Sequence, residues 1–204
     1  TTNRNPRSTV GTVTEVYDVL RLLYARTATA YSLETNEPMV SYTDDEIRSQ
    51  IMERFLGRRM AILAPVVKSR KGHYRELFEQ VRKLGFSKVR VDGVVLEVAP
   101  KMQLDRYKIH DIEIVIDRIV AEEDDRFRIT QSLKSALQHG KGVLMVREES
   151  GEIHYFSKYL MDPETGLSYE EPAPNSFSFN SPYGACPSCN GLGVIEEITR
   201  ESIF

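Results

Sequence analysis

The chain has 204 residues, of which 41% are hydrophobic and 28% charged, with a formal net charge of −3 and two cysteines. That is enough for one substantial domain plus a smaller appendage, and it excludes a disulfide scaffold and a membrane span, because no apolar run approaches roughly 18 residues. The charge balance gives no global argument for nucleic acid, no signal peptide opens the chain, and the cysteine usage fits a reducing, cytoplasmic compartment.

Taken in order, Thr12 to Glu15 reads as a capping box for an amphipathic helix to about Arg26, with Val13, Val16, Tyr17, Leu20, Leu23 and Tyr24 at helical spacing. Thr27 to Pro38 is polar and aperiodic, the mark of a linker. A second box, Thr43 to Glu46, opens a helix whose apolar face is Ile47, Ile51, Phe55 and Leu56, with Gly57 as its stop. From Met60 the pattern is α+β: a buried strand to Val67, a loop carrying Lys68-Ser-Arg-Lys71, and a helix after Gly72 with Tyr74, Leu77, Phe78, Val81 and Leu84 inward. A hairpin follows, with Lys88 and Arg90 on its exposed face, Asp92-Gly93 as its turn, and Val94 to Val98 returning. Ile112, Ile114 and Ile116 alternate with Asp111, Glu113 and Asp117 on a long strand whose acidic residues read as a wet face rather than a hard-metal site. A helix from about Asp125 to His139 and strands Val143 to Arg147 and Ile153 to Ser157 close the domain. No long repeat is visible, and Asp162 to Ser176 reads as a second linker.

Cys186-Pro-Ser-Cys189, followed by Asn190-Gly-Leu-Gly193, has the spacing of half a zinc site. C-x-x-C alone also suits a redox pair or a buried apolar pair; the trailing glycines, which let backbone turn tightly around a metal, favour zinc. His73, His110, His139 and His154 stand alone at ligand spacing, so the remaining ligands are expected from polypeptide following Phe204, and the start at Thr1 reads as a piece of a larger protein. No phosphate loop of the form G-x-x-x-x-G-K-[ST] occurs, and Ser69, Lys71 and His73 read as a solvated turn rather than a nucleophile site. The basic residues Lys68, Arg70, Lys71, Arg75, Arg82, Lys83, Lys88 and Arg90 can form a patch for phosphates or for an acidic protein surface. Few aromatics interleave with them, which favours a protein partner over a direct DNA-binding module.

Arg4 to Glu15, Tyr17 to Arg26, Arg70-Lys-Gly72, Val91-Asp-Gly93, Ile116-Asp-Arg-Ile119 and Phe177 to Gly193 resemble the UvrA family, the A subunit of the bacterial excinuclease, and the resemblance runs end to end. It implies a parent that is a homodimeric ATPase of the ABC class, uses ATP with magnesium and carries zinc, binds damaged double-stranded DNA in nucleotide excision repair, and loads UvrB onto the lesion. Residues 1–42 are then the end of a first nucleotide-binding segment and a linker, 43–158 an inserted UvrB-binding domain of mostly antiparallel sheet with packed helices, and 159–204 a linker and the start of a signature subdomain with the cysteine knuckle. The piece itself is expected to have no catalytic residue, no cofactor and no membrane partner, and to dock UvrB through a charged face that includes Lys88 and Arg118, with Arg90 and Arg70 as neighbours. Arg118 shares the parity of Ile112, Ile114 and Ile116 and points inward unless the strand ends or bulges there. Members of the family carry a C-P-x-H and a C-P-x-C pair that hold zinc at the base of the inserted domain. Here the corresponding positions are Ser32 and Thr35, and Asp162 and Thr165, so that zinc is expected to be absent and the join to be held by packing alone. Cys186 and Cys189 match the pair of a different zinc module.

Overall fold

A computed structural model describes residues 7–169 and 171–195. The start of the first flanking motif at Arg4 and the end of the signature segment at Phe204 lie outside the described residues. Two compact units result: Tyr31–Tyr169, and the flanks drawn from residues before 31 and after 169.

In the flanks, Val10–Val13 (α1) and Val16–Thr27 (α2) replace the single helix read from the sequence. The capping box lies three residues earlier than expected: Thr9 caps, and the Thr12 hydroxyl accepts from the Thr9 amide at 2.9 Å. Thr12 is thereby spent inside α1, and Glu15 adopts a left-handed φ of 61° that separates the two helices. No side chain of α2 is fully buried. Its Tyr17 hydroxyl donates to the Phe177 carbonyl at 2.5 Å, and the Tyr17 ring lies 5.2 Å from that of Phe179, so the Phe177-Ser-Phe motif seats on this helix.

The larger unit holds helices Asp44–Phe55 (α3), Arg75–Lys83 (α4) and Arg126–His139 (α5) and six antiparallel strands. The strands are Arg59–Lys71 (β1), Lys88–Val91 (β2), Val94–Glu97 (β3), Ile109–Val120 (β4), Val143–Glu148 (β5) and Ile153–Ser157 (β6), ordered β3-β2-β4-β1-β5-β6. This is the expected α+β fold. Thr43 and Glu46 cap α3 reciprocally, the Thr43 amide donating to the Glu46 carboxylate at 2.8 Å. Asp92 and Gly93 both take positive φ, 49° and 88°, the condition for a two-residue type I′ turn whose twist suits the flanking strands.

The helices cover one face of the sheet. Ile47, Ile51 and Phe55 of α3, Phe78 and Val81 of α4, and Ile129, Leu133 and Ala136 of α5 pack against Met60, Ile62, Val89, Ile112, Ile114, Leu144 and Phe156. Each such side chain removed from water contributes on the order of 1.5–3 kcal/mol, which is why the helix-facing side is the core. Among the described residues, the buried apolar cluster of the opposite face is the smaller set Leu63, Val115 and Met145, with Ala61, Ile153 and Tyr155 beside them.

Several expectations are corrected. Leu56 and Leu84 lie outside the core, at 51% and 57% exposure, because each falls just past the end of its helix, where the helical period no longer applies. Lys68 to Lys71 belong to β1, not to a loop, with Ser69 at a positive φ where the register with β4 shifts. The supposed linkers are structured: Tyr31 bridges Pro38, Met161 bridges Ser168, and Val40 bridges Met161. Nor do Asp111, Glu113 and Asp117 share a wet face. Glu113 is buried, and Asp117 turns to the helix side, where Arg128 of α5 and Ser132 bind it at 2.7 and 2.8 Å.

Candidate functional site

The helix-free face of the sheet carries Arg118, Arg90 and Lys88 of the sequence-predicted basic residues, whereas Arg75, Arg82 and Lys83 belong to α4, which packs against the opposite face, so the expected single patch is divided. Directly opposed residues of neighbouring strands share a face. Arg118 of β4 opposes Ala61 of β1, which opposes Arg147 of β5, which opposes Ile153 of β6. The next row on this face is Val115, Leu63, Met145 and Tyr155, and the one beyond it runs Val95, Arg90, Glu113 and Pro65. Lys88, two residues from Arg90 on β2, joins the same face.

Arg118 comes out by a bulge. Asp117 opposes Ile62 and Val115 opposes Leu63, so Ile116 is the extra residue, and it reverses the parity of everything after it. Arg118 is exposed while Ile119 goes to the core. Among the described residues neither Arg118 nor Arg147 has a carboxylate partner; the nearby Glu148 and Glu149 pair instead with Arg58 at 3.2 Å and Arg59 at 3.6 Å.

Arg90 departs from the exposed position expected of it. Its Nη1 lies 3.2 Å from Glu113 Oε1, and the side chains are 15% and 7% exposed. Burial pushes the Glu113 carboxyl up, and the Arg90 guanidinium only partly offsets this. Arg90 is therefore committed to an internal pair, while Lys88 and Arg118 are available to a partner. Arg70 sits near the end of β1 and lines a groove of about 750 Å³ together with Lys68, Arg90, Lys141 and Tyr155. Sequence reasoning missed Arg147 and Lys141. Nothing local marks them, since strand register brings Arg147 to this face and the turn between α5 and β5 brings Lys141 to the groove.

The four positions where the family carries ligands also converge. Thr35 Oγ1 donates to Asp162 Oδ2 at 2.7 Å, the Ser32 hydroxyl adds a second bond, and Asp162 Oδ1 accepts from the amides of Glu164 at 2.9 Å and Thr165 at 3.1 Å. Burial alone raises the Asp162 carboxyl, yet the bonds from Ser32, Thr35, Thr165 and Glu164 outweigh it and hold the group well below the usual carboxylate range. The expectation that packing alone holds this join is thus corrected to a buried hydrogen-bond network.

Three stretches share one backbone turn. In Ser32 to Asn36, Asp162 to Gly166 and Cys186 to Asn190, the first side chain accepts from the amides two and three residues on. The first carbonyl accepts from the amide four residues on, at 3.0, 2.9 and 2.7 Å, and that fourth residue has a positive φ of 59°, 65° and 50°. At Cys186 the amides of Cys189 and then Ser188 draw the thiol below its ordinary value, toward the thiolate a metal requires. Cys189 Sγ accepts from the Gly193 amide at 3.4 Å. This turn fits half of a tetrahedral zinc site, and among the described residues no third ligand joins it. The set Ser32, Thr35, Asp162 and Thr165 does not fit zinc. Both Asp162 oxygens are engaged, Thr165 Oγ1 accepts from the Leu167 amide at 3.3 Å, and three neutral hydroxyls are poor ligands for a borderline-soft ion. Among the described residues no helix is long and apolar enough to cross a membrane.

Residues 43–150 match the family described as the UvrA interaction domain. The chain is 47% identical to the UvrABC system protein A of Thermus thermophilus, 45% identical to that of Aquifex aeolicus and 43% identical to that of Bacillus subtilis. These alignments take in 100%, 97% and 100% of this chain but 22%, 22% and 21% of the relatives. The chain therefore spans about a fifth of the length of the curated relatives it matches.

Proposed function

The chain belongs to the UvrA family, and from that premise we propose that its sheet-and-helix unit docks UvrB within the excinuclease system of nucleotide excision repair. The observation that carries this reading is the row Arg118, Ala61, Arg147, with Lys88 on the same helix-free face. Two arginines without carboxylate partners among the described residues leave positive charge for an acidic partner surface to neutralise. Leu63, Val115 and Met145 are buried beneath this face, so the apolar surface it offers beside the arginines comes from the half-buried Ala61, Ile153 and Tyr155. ATP hydrolysis belongs, in this proposal, to the longer parent, because this sequence contains no phosphate loop, and dimerisation, contact with damaged DNA and completion of the Cys186–Cys189 zinc site are assigned to the parent with it.

Titrating the chain with UvrB and, separately, with duplex DNA at two salt concentrations tests the proposal. The expected result is saturable binding to UvrB that Arg118→Glu weakens. Binding to DNA alone, falling steeply with salt as counterion release requires, would instead assign the basic face to phosphates.

A further inference from the structure

We propose that the Asp162 carboxylate ties the turns Ser32 to Asn36 and Asp162 to Gly166 into a metal-free clasp, in the place where the family implies zinc. The two turns are built alike beyond the five residues they share with Cys186 to Asn190. The Ser32 amide donates to the Glu37 carbonyl and the Asp162 amide to the Leu167 carbonyl, each at 2.9 Å. Tyr31 bridges Pro38 and Met161 bridges Ser168, so each turn closes a short hairpin of the same length. A pair of such turns can be joined by a metal that draws side-chain ligands from both. Here the join is a carboxylate: Asp162 accepts two amides from its own turn and the hydroxyls of Thr35 and Ser32 from the other.

The centre of the network is buried, with Thr35 and Thr165 at its half-exposed edge. Asp162 is 0% exposed and Ser32 2%. The Ser32 oxygen takes the amides of Glu34 and Thr35, so its hydrogen is left for the carboxylate. Four donors on one buried carboxylate satisfy it without a counter-ion, since a carboxylate with both oxygens bonded retains its charge at modest cost. The clasp also reaches the basic face. Lys68 Nζ donates to the Thr165 carbonyl at 3.2 Å, and Gly166 lies so close to Tyr155 that a Cβ there would come within 2.3 Å of the ring.

Oxygen for sulfur changes what the join responds to. A zinc pair is lost to chelators and to oxidants of thiolate; this clasp contains no thiol and no ion, and it responds to acid instead. Thr35 and Asp162 are 127 positions apart in sequence, so the clasp holds together the two ends of the Tyr31–Tyr169 unit.

The experiment uses the whole chain with Cys186→Ser and Cys189→Ser introduced, which removes the thiolate turn as a zinc source. Metal analysis after dialysis against EDTA should find no zinc, and the melting temperature should be the same with and without EDTA. A stoichiometric quantity of retained zinc, or a melting temperature that falls on adding EDTA, overturns the proposal. In the same background, Asp162→Ala should speed amide exchange at Glu164 and Thr165 by about tenfold or more while the β1 and β4 amides keep their protection. Unaltered exchange at those two amides also overturns it. If Asp162→Ala does not fold, Thr35→Val removes one donor and is read in the same way. A gain-of-metal variant closes the test: Ser32→Cys, Thr35→Cys, Asp162→Cys and Thr165→Cys together should bind one zinc and become sensitive to EDTA. Failure of that folded variant to take zinc would show that the turns are not disposed as a ligand pair.

Discussion

Arg118 and Arg147 flank Ala61 in one cross-strand row, two cationic residues on a single sheet face with a methyl group between them. Strands that oppose like charges directly lose stability; here the alanine strand keeps the guanidinium groups one strand apart, and both remain open to a partner.

Lys88→Glu and Arg118→Glu should each weaken UvrB binding by about tenfold or more, since like charges set against an acidic surface cost over about 1.4 kcal/mol. Arg118→Glu should move the melting temperature by no more than about 2 °C, because its side chain is exposed, whereas Lys88→Glu sets a carboxylate directly opposite Glu97 and should lower it by a few degrees at about 0.2–1 kcal/mol per like-charge pair. Isothermal titration beside a thermal melt checks both halves. Unchanged affinity in both variants would place the interface elsewhere on the unit.

Arg90→Ala should behave differently and destabilise the unit by about 3 kcal/mol near neutral pH, by leaving Glu113 buried without its counter-charge. The pH dependence identifies the cause. The folded Glu113 carboxyl titrates above its unfolded value, so the native state holds the extra proton and stability falls as pH rises through that window. Arg90→Ala widens the effect, and its deficit should shrink on going from about pH 7 to pH 5 in urea unfolding experiments. A deficit independent of pH would mean that lost packing, not an orphaned charge, is responsible.

Asp162 carries the opposite sign. Its folded carboxyl titrates below the unfolded value, so its contribution is complete above the unfolded range, about 3.9, and is lost as pH falls through the folded one. Asp162→Asn should therefore be less stable than wild type by a constant amount from about pH 8 to pH 5. The gap should narrow below about pH 4, as measured by guanidinium melts at each pH. A gap that stays the same down to pH 3 would show that the charge of the carboxylate contributes little.

Gly166→Ala should destabilise by about 2–4 kcal/mol for two separable reasons: a left-handed φ of 65°, and a Cβ 2.3 Å from the Tyr155 ring. Tyr155→Ala combined with Gly166→Ala should recover the steric part and leave the backbone part. A double-mutant cycle measures this, and strict additivity would mean that the contact is relieved without cost.

The helices and strands were legible wherever apolar period and turn chemistry agreed, as at Thr43 to Phe55 and around Asp92-Gly93. Legibility failed where one residue altered the phase. Ile116 bulges and turns Arg118 outward, and no local signal distinguishes that from continued alternation. The pairing of Arg90 with Glu113 was hidden because both residues look like solvent charges until the β2–β4 register sets them side by side. Ser32 to Asn36 and Asp162 to Gly166 looked like linkers for a related reason: their order comes from hydrogen bonds between side chain and backbone, which leave no hydrophobic period to read. The convergence of their four side chains was legible only as a set of corresponding positions, not as a network.

Val40 and Met161 exchange two backbone bonds of 2.9 Å beside the paired turns, so the strands that begin and finish the larger unit run together as a short ribbon. Tension applied at residues 31 and 169 therefore meets this ribbon before it reaches the sheet, and it peels bonds one after another instead of shearing several at once. Pulled at those two points, the unit is expected to open first at this neck, where a few bonds around Asp162 and the Val40–Met161 bridge carry the load one at a time, before the strands of the sheet are strained.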